Sequence, residues 1–455
     1  MFRKLFVIFC LLGATVVLSA CSSKNTERSE YYNEGIALLE AGKYSEALVS
    51  FKKAINENPS DTDSYLQAAE ILIDKNQYEE AINILKNGIG FSEFDQKLFT
   101  KLGEVNFLKG DLSEALSNFN KAISIDNDNE AAVIGKITTL SHQQNTAELK
   151  SFVSKRIGKA ESDEIQMLKG FILYENVDDA LKVLNDVKDK NDKITNAIGI
   201  FDEIKASGYS TVLEMKLARE IINSGYGTLA IPIAEKTISE NEFYEGGYLY
   251  KGIGFFLLGN LEEAENLLRE AVRYNSSLSE GFLYLALVQA AASDTESANM
   301  NFQFALNFAD NEMKKNILRR LIDYLYDERD ISGLVQRAAE LGILDPTTEN
   351  KKELATYYCV SSDANISNTI SELKASNETD LSEFEACSSL LAGDNENAKN
   401  LINSLYSSDP TNPFVYFLGF KVAQAESDSV AVEELKTRIL DVDKNGFYSE
   451  VLGIL

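Results

Sequence analysis

Few residues of this sequence have the type and spacing that chemistry requires. His142 is the only histidine, and the surrounding Ser-His-Gln-Gln-Asn predicts a turn between helices, with His142 at the surface. Acid–base catalysis by histidine, or a zinc site, needs partner residues, and no paired cysteine or carboxylate motif accompanies it. The sequence also lacks Gly-x-Ser-x-Gly, phosphate-loop, dinucleotide and Cys-x-x-Cys motifs. We therefore expect no catalytic residue, no metal and no cofactor, and hence a protein that is not an enzyme.

One acidic segment has the spacing of a cation site. Asp441, Asp443, Asn445 and Gly446 reproduce the first half of a calcium-binding loop. Position 12 of such a loop supplies a bidentate glutamate, and this sequence has Leu452 there. We interpret the segment as a terminal turn and predict no metal.

The four cysteines fall into two groups. Cys10 and Cys21 lie near the start of the sequence, whereas Cys359 and Cys387 lie far downstream. In an oxidising compartment the downstream pair could form a disulfide. Spacing alone does not fix the distance between them, so two buried thiols are the open alternative.

Residues 1–20 have the pattern of a secretory signal. Arg3 and Lys4 precede an apolar run from Leu5 to Leu18, which is short for a permanent membrane span. The following Leu18-Ser19-Ala20-Cys21 resembles the bacterial lipobox. That resemblance implies cleavage before Cys21, a diacylglycerol on its sulfur, and a polar tether over residues 21–29. An ordinary secretion signal with an incidental cysteine is the alternative.

The lipobox resemblance also implies a location. Lipoproteins without Asp after the cysteine are sorted outward in two-membrane bacteria, and this chain has Ser22 there. We expect a cell-envelope protein, at the periplasmic face of the outer membrane in such a host, or at the cell surface where there is one membrane.

Composition excludes several function classes. The formal net charge is −27, so the basic footprint that nucleic-acid binding needs is missing. An acidic body is also repelled by anionic lipid headgroups, which predicts that it stands off the membrane. The acidity is explained by solubility alone or by a preference for a basic partner.

The elements that would position any site are helical hairpins at a period of 34 residues. The first hairpin contains a characteristic set of aromatic, small and turn residues: Tyr31, Gly35, Leu38, Ala47, Phe51, Ala54 and Pro59. This set resembles the tetratricopeptide repeat, and it recurs with Tyr65, Ala69 and Ala81, and again with Phe99, Gly103 and Ala115. Small residues let two antiparallel helices approach closely. Gly42, Asn76 and Gly110, each 34 residues apart, predict left-handed turns between the two helices.

The repeats form two regular blocks with degenerate stretches around them. We predict a tetratricopeptide block over residues 30–129, degenerate helical repeats over 130–210, a central block over 211–312, and degenerate repeats over 313–455. Pro232 departs from the pattern in the central block. The expected fold is all-α, a tetratricopeptide-type solenoid of about a dozen antiparallel hairpins wound into a right-handed superhelix.

In the family that these repeats resemble, the first helix of each repeat lines a groove through positions 2, 5, 9, 12 and 13. In the first block these positions carry a mixed set: Tyr32, Leu66, Glu70, Lys97, Glu104 and Phe107. In the second block they carry an apolar set: Leu249, Ile253, Phe256, Leu283 and Leu287. The apolar set either seats a peptide or is buried against neighbouring helices. The Lys and Asn residues of the family's chaperone-tail clamp are missing.

The function that follows is a membrane-anchored, non-catalytic scaffold. It would bind an envelope protein or peptide along its groove, for assembly of a pilus, secretion, polysaccharide-export or outer-membrane complex. The alternative is a factor that binds cell-wall or exopolysaccharide glycan, or regulates glycan-processing enzymes, with exposed rings such as Tyr32 and Phe107 stacking on sugars.

Overall fold

The computed structural model describes residues 29–159, 161–188 and 190–454, and in these ranges it is all-helical without a β-strand. The predicted leader, Cys21 and most of the polar tether lie outside the described residues. Over the described ranges, twenty-six α-helices and one short 3-10 helix follow one another as antiparallel pairs. The prediction of an all-α solenoid of about a dozen hairpins is confirmed.

Residues 60–308 form one compact unit, here called the central unit. Its helices are α3 Thr62–Asp74, α4 Tyr78–Phe91, α5 Gln96–Lys109, α6 Leu112–Ile125, α7 Glu130–His142, α8 Thr146–Ser154, α9 Asp163–Ile172, α10 Val177–Asn185, α11 Asp192–Ser207, α12 Thr211–Asn223, a 3-10 helix Gly227–Ala230, α13 Ile231–Glu240, α14 Glu245–Leu257, α15 Leu261–Tyr274, α16 Ser279–Ala291 and α17 Thr295–Phe308.

Residues 29–59 and 309–454 form a second compact unit, here called the terminal unit. It contains α1 Glu30–Glu40 and α2 Tyr44–Glu57 from the start of the array, followed by α18 Asn311–Asp327, α19 Ile331–Leu344, α20 Thr348–Val360, α21 Ile366–Ala375, α22 Ser382–Leu391, α23 Asn395–Ser408, α24 Pro413–Ala425, α25 Ser429–Val442 and α26 Phe447–Val451.

Two of the regular hairpins, α1–α2 and α5–α6, are held by a large ring packed against a residue without a side chain. A Cβ on Gly35 would lie 2.6 Å from the Phe51 ring, and a Cβ on Gly103 would lie 2.7 Å from the Phe119 ring. Both rings are almost completely buried. The ring of one helix therefore occupies the space that glycine leaves on its partner, which explains why the repeat pattern needs small residues there.

The turns inside the hairpins adopt the predicted left-handed conformation. Gly42, Asn76 and Gly110 have φ values of 65°, 57° and 94°. The same 34-residue spacing continues to Gln144, with φ 54°, and from Gly259 to Ser293, with φ 64°. Because Gln and Ser seldom adopt positive φ, the hairpin geometry and not the residue type sets these turns.

The two departures from the repeat pattern have local causes. Pro232 lies in the first turn of α13, where proline removes no helical hydrogen bond, and the 3-10 helix Gly227–Ala230 occupies the preceding residues. In the degenerate stretch, α9 and α10 have 10 and 9 residues and form a hairpin shorter than those of the regular block.

Candidate functional site

The predicted groove residues of the first block differ in exposure. Tyr32 is buried against Phe51, with ring centroids 5.7 Å apart, so its ring belongs to the core of the first hairpin. Glu70 and Lys97 are exposed, and Leu66, Glu104 and Phe107 are half-buried. The burial of Tyr32 removes one of the two rings on which glycan stacking was based.

The exposed part of the first-block groove carries paired charges. The Lys101 ammonium lies 2.9 Å from a Glu70 oxygen and 2.7 Å from a Glu104 oxygen. Burial by itself lowers the pKa of Lys101, but Glu104 and Glu70 outweigh it and the pKa is raised. This surface is a charged network in which a polar partner segment would have to exchange ion pairs.

His142 is not in a turn, as the sequence suggested, but is the last residue of α7. It is half-buried, and its ring packs edge-on against Phe107 with centroids 4.8 Å apart. Burial lowers the pKa of His142 to about 4. The imidazole is therefore neutral at pH 7, and it fills space beside Phe107.

The apolar groove residues of the second block are part of the core. Their exposed fractions are at most 8%, as the values for Leu249, Ile253, Phe256, Leu283 and Leu287 show. The sequence left open whether these five positions seat a peptide or are buried, and in the structure their side chains are buried. Because α12, α14 and α16 contact one another directly, the first helices of successive repeats close over these side chains.

The central unit instead has a cavity of about 600 Å³ beside these helices. It is lined by one face of α11, by α12, and by the starts of α14 and α16. The residues that α12 contributes include Val212, Met215 and Arg219. These are positions 2, 5 and 9 of the repeat that begins at residue 211, the same positions that line the groove in the resembling family.

Arg219 organises the wall of this cavity. Its Nε donates to the Tyr250 hydroxyl at 2.7 Å, and its Nη2 donates to a Glu280 oxygen at 3.1 Å. The Arg219 side chain is nonetheless 59% exposed. A guanidinium has five N–H donors, so Arg219 retains donors for a bound segment while Tyr250 and Glu280 fix its direction.

Two carboxyl groups near Arg219 are partly removed from water. Burial raises the pKa of Glu280, and the ion pair with Arg219 opposes that rise. Burial likewise raises the pKa of Glu220, against a hydrogen bond from Asn196. Converging carboxyl groups with raised pKa values also occur in enzyme sites. Here each of them already has a side-chain partner, an arrangement suited to recognising a polar ligand.

Sequence reasoning missed Arg219, Tyr250 and Glu280, although a signal for two of them was present. Arg219 is position 9 of the repeat from residue 211, and Glu280 is position 2 of the repeat from residue 279. Applying the groove rule to every repeat would have found both. Tyr250 lies outside the rule, and only its hydroxyl contact with Arg219 reveals it.

Two further predicted features lie in the terminal unit. Cys359 of α20 and Cys387 of α22 form a disulfide, with Cα atoms 6.1 Å apart. In the acidic segment, Asp443 accepts hydrogen bonds from the Ser449 N–H and hydroxyl, both at 2.8 Å, so its carboxylate caps the short helix α26. No group of three or more potential ligand residues in the described part of the chain is arranged to hold a metal ion.

Comparison with known proteins identifies the repeats. Tetratricopeptide-repeat family models match residues 38–90 and 97–129. These two segments are therefore tetratricopeptide repeats. No curated protein matches the chain.

The solved structures to which the chain is similar are distant from it in sequence. The chain is 10% identical to a structure of the APC/C hetero-tetramer Cut9-Hcn1, covering 94% of this chain and 96% of that one, with a TM-score of 0.36. It is 14% identical to yeast Tom70, covering 93% and 94%, with a TM-score of 0.30. It is 14% identical to a tetratricopeptide-repeat protein from Parabacteroides merdae, covering 57% and 98%, with a TM-score of 0.32.

The helices themselves set one limit on membrane interaction. Among the described residues, no helix combines the length and apolar character that crossing a bilayer requires.

Proposed function

We propose that this protein is a lipid-anchored scaffold of the bacterial cell envelope that binds a segment of a partner protein in the cavity around Arg219. The observation that carries the proposal is that Val212, Met215 and Arg219, which are groove positions 2, 5 and 9 of the repeat from residue 211, line this cavity. Tetratricopeptide repeats act as protein-binding scaffolds, and a groove along several hairpins suits an extended or helical segment.

The size and chemistry of the cavity suit a peptide. About 600 Å³ lies within the range of pockets that bind small ligands or a few side chains. Its lining includes the apolar residues Val212 and Leu249 beside polar ones such as Arg219, so a segment with both kinds of side chain would fit. Three carboxylates line it, Glu203, Glu220 and Glu245, against two cations, Lys216 and Arg219. This balance favours a segment with a basic residue.

Envelope location is supported by two independent features. Leu18-Ser19-Ala20-Cys21 has the lipobox pattern, and under this proposal a diacylglycerol on Cys21 anchors the protein to a membrane. The Cys359–Cys387 disulfide is typical of proteins in oxidising compartments. Assembly of an envelope complex is the role in which an anchored, extended binding surface is most useful.

Photo-crosslinking in living cells tests the groove. A photoreactive residue at Val212, which is 56% exposed and lines the cavity, should capture one partner repeatedly. The matched control is a probe at Met300, which is 53% exposed and does not line the cavity. Equal capture of the same protein from both positions would contradict binding in the cavity.

A pair of arginine variants distinguishes specific recognition by Arg219 from nonspecific binding to an exposed arginine. Arg219→Ala should reduce capture from Val212 at least tenfold, because the directed donors of the wall are lost. Arg269→Ala is the matched control, since the Arg269 side chain is 57% exposed, pairs with Glu265 at 2.6 Å and lies outside the cavity. The proposal fails if both variants reduce capture equally, or if neither does.

The anchor has its own test. Mass spectrometry of the mature N-terminal peptide should show a diacylglyceryl group on Cys21, and Cys21→Ser should release the protein from the membrane fraction. An unmodified Cys21 in a mature, membrane-free protein would refute the anchoring and leave the groove proposal standing.

A further inference from the structure

The first hairpin of the repeat array, α1–α2, is attached within the terminal unit to the hairpin α24–α25. Ser45 and Asp441, which hydrogen bond to each other, are 396 residues apart in sequence. The contact joins the turn and helix ends of the first hairpin to the end of α25 and the loop before α24. It is therefore made between helix ends, not between the flat faces through which neighbouring repeats stack.

Arg438 of α25 is the centre of this contact. Its guanidinium donates to the carbonyl oxygens of Ala41 and Gly42, the latter at 3.1 Å. It also donates to the Pro410 carbonyl at 3.2 Å and to the Tyr416 hydroxyl at 3.1 Å. Carbonyls at the end of a helix have no partner within the helix, so Arg438 satisfies groups that α1 leaves unpaired while bonding its own hairpin.

Asp441 caps the start of α2, the second helix of the hairpin. The residue before α2, Lys43, supplies no side-chain cap to that helix. Instead, an Asp441 oxygen accepts from the Ser45 N–H at 3.2 Å and from the Ser45 hydroxyl at 2.7 Å. A carboxylate at the first N–H groups of a helix is the usual cap, and here it comes from a distant hairpin. Lys444 adds a cation–π contact, its ammonium 4.8 Å from the Tyr44 ring centroid.

The inside of the first hairpin is held by a different kind of contact. Ala47, Phe51 and Ala54 have no exposed surface, and Phe51 fills the space beside Gly35. Hydrogen bonds through partly exposed side chains are weaker and more easily exchanged with water than such interlocked apolar packing. The hairpin is thus more firmly joined within itself than it is to α24–α25 through these polar bonds.

We propose that the first hairpin is a latch, which Arg438 and Asp441 hold closed on the C-terminal hairpins and which opens as a folded unit. Under the lipid anchoring proposed above, on which this consequence alone rests, opening of the latch lengthens the connection between the anchor and the C-terminal hairpins by the length of the first hairpin. The latch would thereby set how closely those hairpins are held to the membrane.

Distance measurement by double electron–electron resonance tests the latch. Spin labels are attached to cysteines that replace Glu46 on α2 and Glu433 on α25. The side chains of these two residues are 61% and 76% exposed. The protein used for this measurement is produced from Ser22 onward, so Cys21 is absent. Cys359 and Cys387 are joined in their disulfide and do not take up the label. We expect one dominant short distance in the otherwise wild-type chain. In Arg438→Ala/Asp441→Ala we expect the population at longer distances to rise at least tenfold.

Two matched variants control for indirect effects. Arg337→Ala removes another arginine that pairs with an acid three residues later in the same unit, and it should leave the distance unchanged. A Cβ on Gly42 would lie 2.8 Å from the Pro410 carbonyl oxygen, so Gly42→Ala should open the latch. Gly393→Ala introduces the same strain of a positive φ, at 81°, with nothing within 4 Å, and should leave the latch closed.

Either of two outcomes would overturn the proposal. An unchanged distance distribution in Arg438→Ala/Asp441→Ala would show that these residues do not hold the hairpin. Loss of hydrogen-exchange protection throughout residues 44–57 in that variant would show that the hairpin unfolds instead of opening as a unit. Both measurements use unlipidated protein, so failure of the anchoring proposal leaves this result intact.

Discussion

Two neighbouring regions of the central unit are held together by different kinds of contact between their helices. In the regular hairpins α5–α7, Phe119 lies between Gly103 and Gly135, within a cluster of alanines comprising Ala115, Ala122 and Ala132. In the degenerate stretch that follows, the shortened helices leave a buried ionic cluster of Arg156, Glu161 and Lys169. The first region is held together by close apolar packing, and the second by buried ion pairs.

The ionic cluster is fully engaged with its surroundings. Glu161 pairs with both cations, and Lys169 also donates to the Arg156 carbonyl and to Gln166, each at 3.0 Å. Arg156 reaches back to the Asn127 carbonyl at 3.1 Å, in the turn after α6. The cluster thus ties the degenerate stretch to the last turn of the regular block. Where the repeat pattern fails, hydrogen bonds with fixed directions replace interlocking side chains.

Removing the ring from the regular region should have the largest effect. Phe119→Ala leaves a cavity between three helices, so we expect a loss of about 3–5 kcal/mol in the free energy of unfolding. Urea denaturation followed by circular dichroism measures it. A loss below about 1 kcal/mol would show that the glycines at 103 and 135 let the helices close over the gap, and the contrast between the two regions would disappear.

Breaking the ionic cluster should reduce the free energy of unfolding somewhat less than Phe119→Ala does. The size of the loss should depend on which charged side chains remain. Glu161→Gln leaves the buried Arg156 and Lys169 without their shared carboxylate, and we expect a loss of about 3 kcal/mol in the free energy of unfolding. Lys169→Met added to Glu161→Gln removes one of the two uncompensated cations and should recover part of that loss. If the double variant is less stable than Glu161→Gln, Lys169 contributes through its hydrogen bonds and not through charge balance.

The smallest effect should appear at the junction of the two regions, at His142. Its pKa of about 4 lies below the ordinary value of 6.5, so the unfolded chain takes up a proton before the folded chain does. Its contribution to stability is full above pH 6.5 and is lost as the pH falls toward 4. A difference of one bound proton changes the free energy of unfolding by about 1.36 kcal/mol per pH unit. We therefore expect the free energy of unfolding to fall by about 2 kcal/mol between pH 6.5 and 5.

His142→Gln is the control for that prediction. Because the chain has no other histidine, the difference in pH dependence between wild type and variant belongs to this side chain. The two proteins should converge in stability as the pH is lowered from 7 to 5. Parallel curves over that range would mean that the His142 ring is hydrated in the folded state.

The same contrast explains how far groove prediction from sequence succeeded. At Glu70 and Lys97 a charged side chain kept the position at the surface, as the repeat rule implies. At Leu249 and Ile253 the same rule left a groove or burial open, and in the structure these apolar side chains are part of the core. Position in the repeat gives the direction of a side chain, whereas its hydrophobicity decides whether the neighbouring helix closes over it.

The sequence by itself determined the local structure of this protein. The 34-residue period placed the hairpins, because apolar phasing and small residues specify which helix faces meet, and Gly42, Asn76 and Gly110 placed their turns. The tertiary structure alone decided what depends on distant residues: the pairing of Cys359 with Cys387, the cavity around Arg219, and the docking of the first hairpin on Arg438. A repeat pattern records contacts between neighbours in sequence, and it carries no signal for two helix ends that meet 396 residues apart.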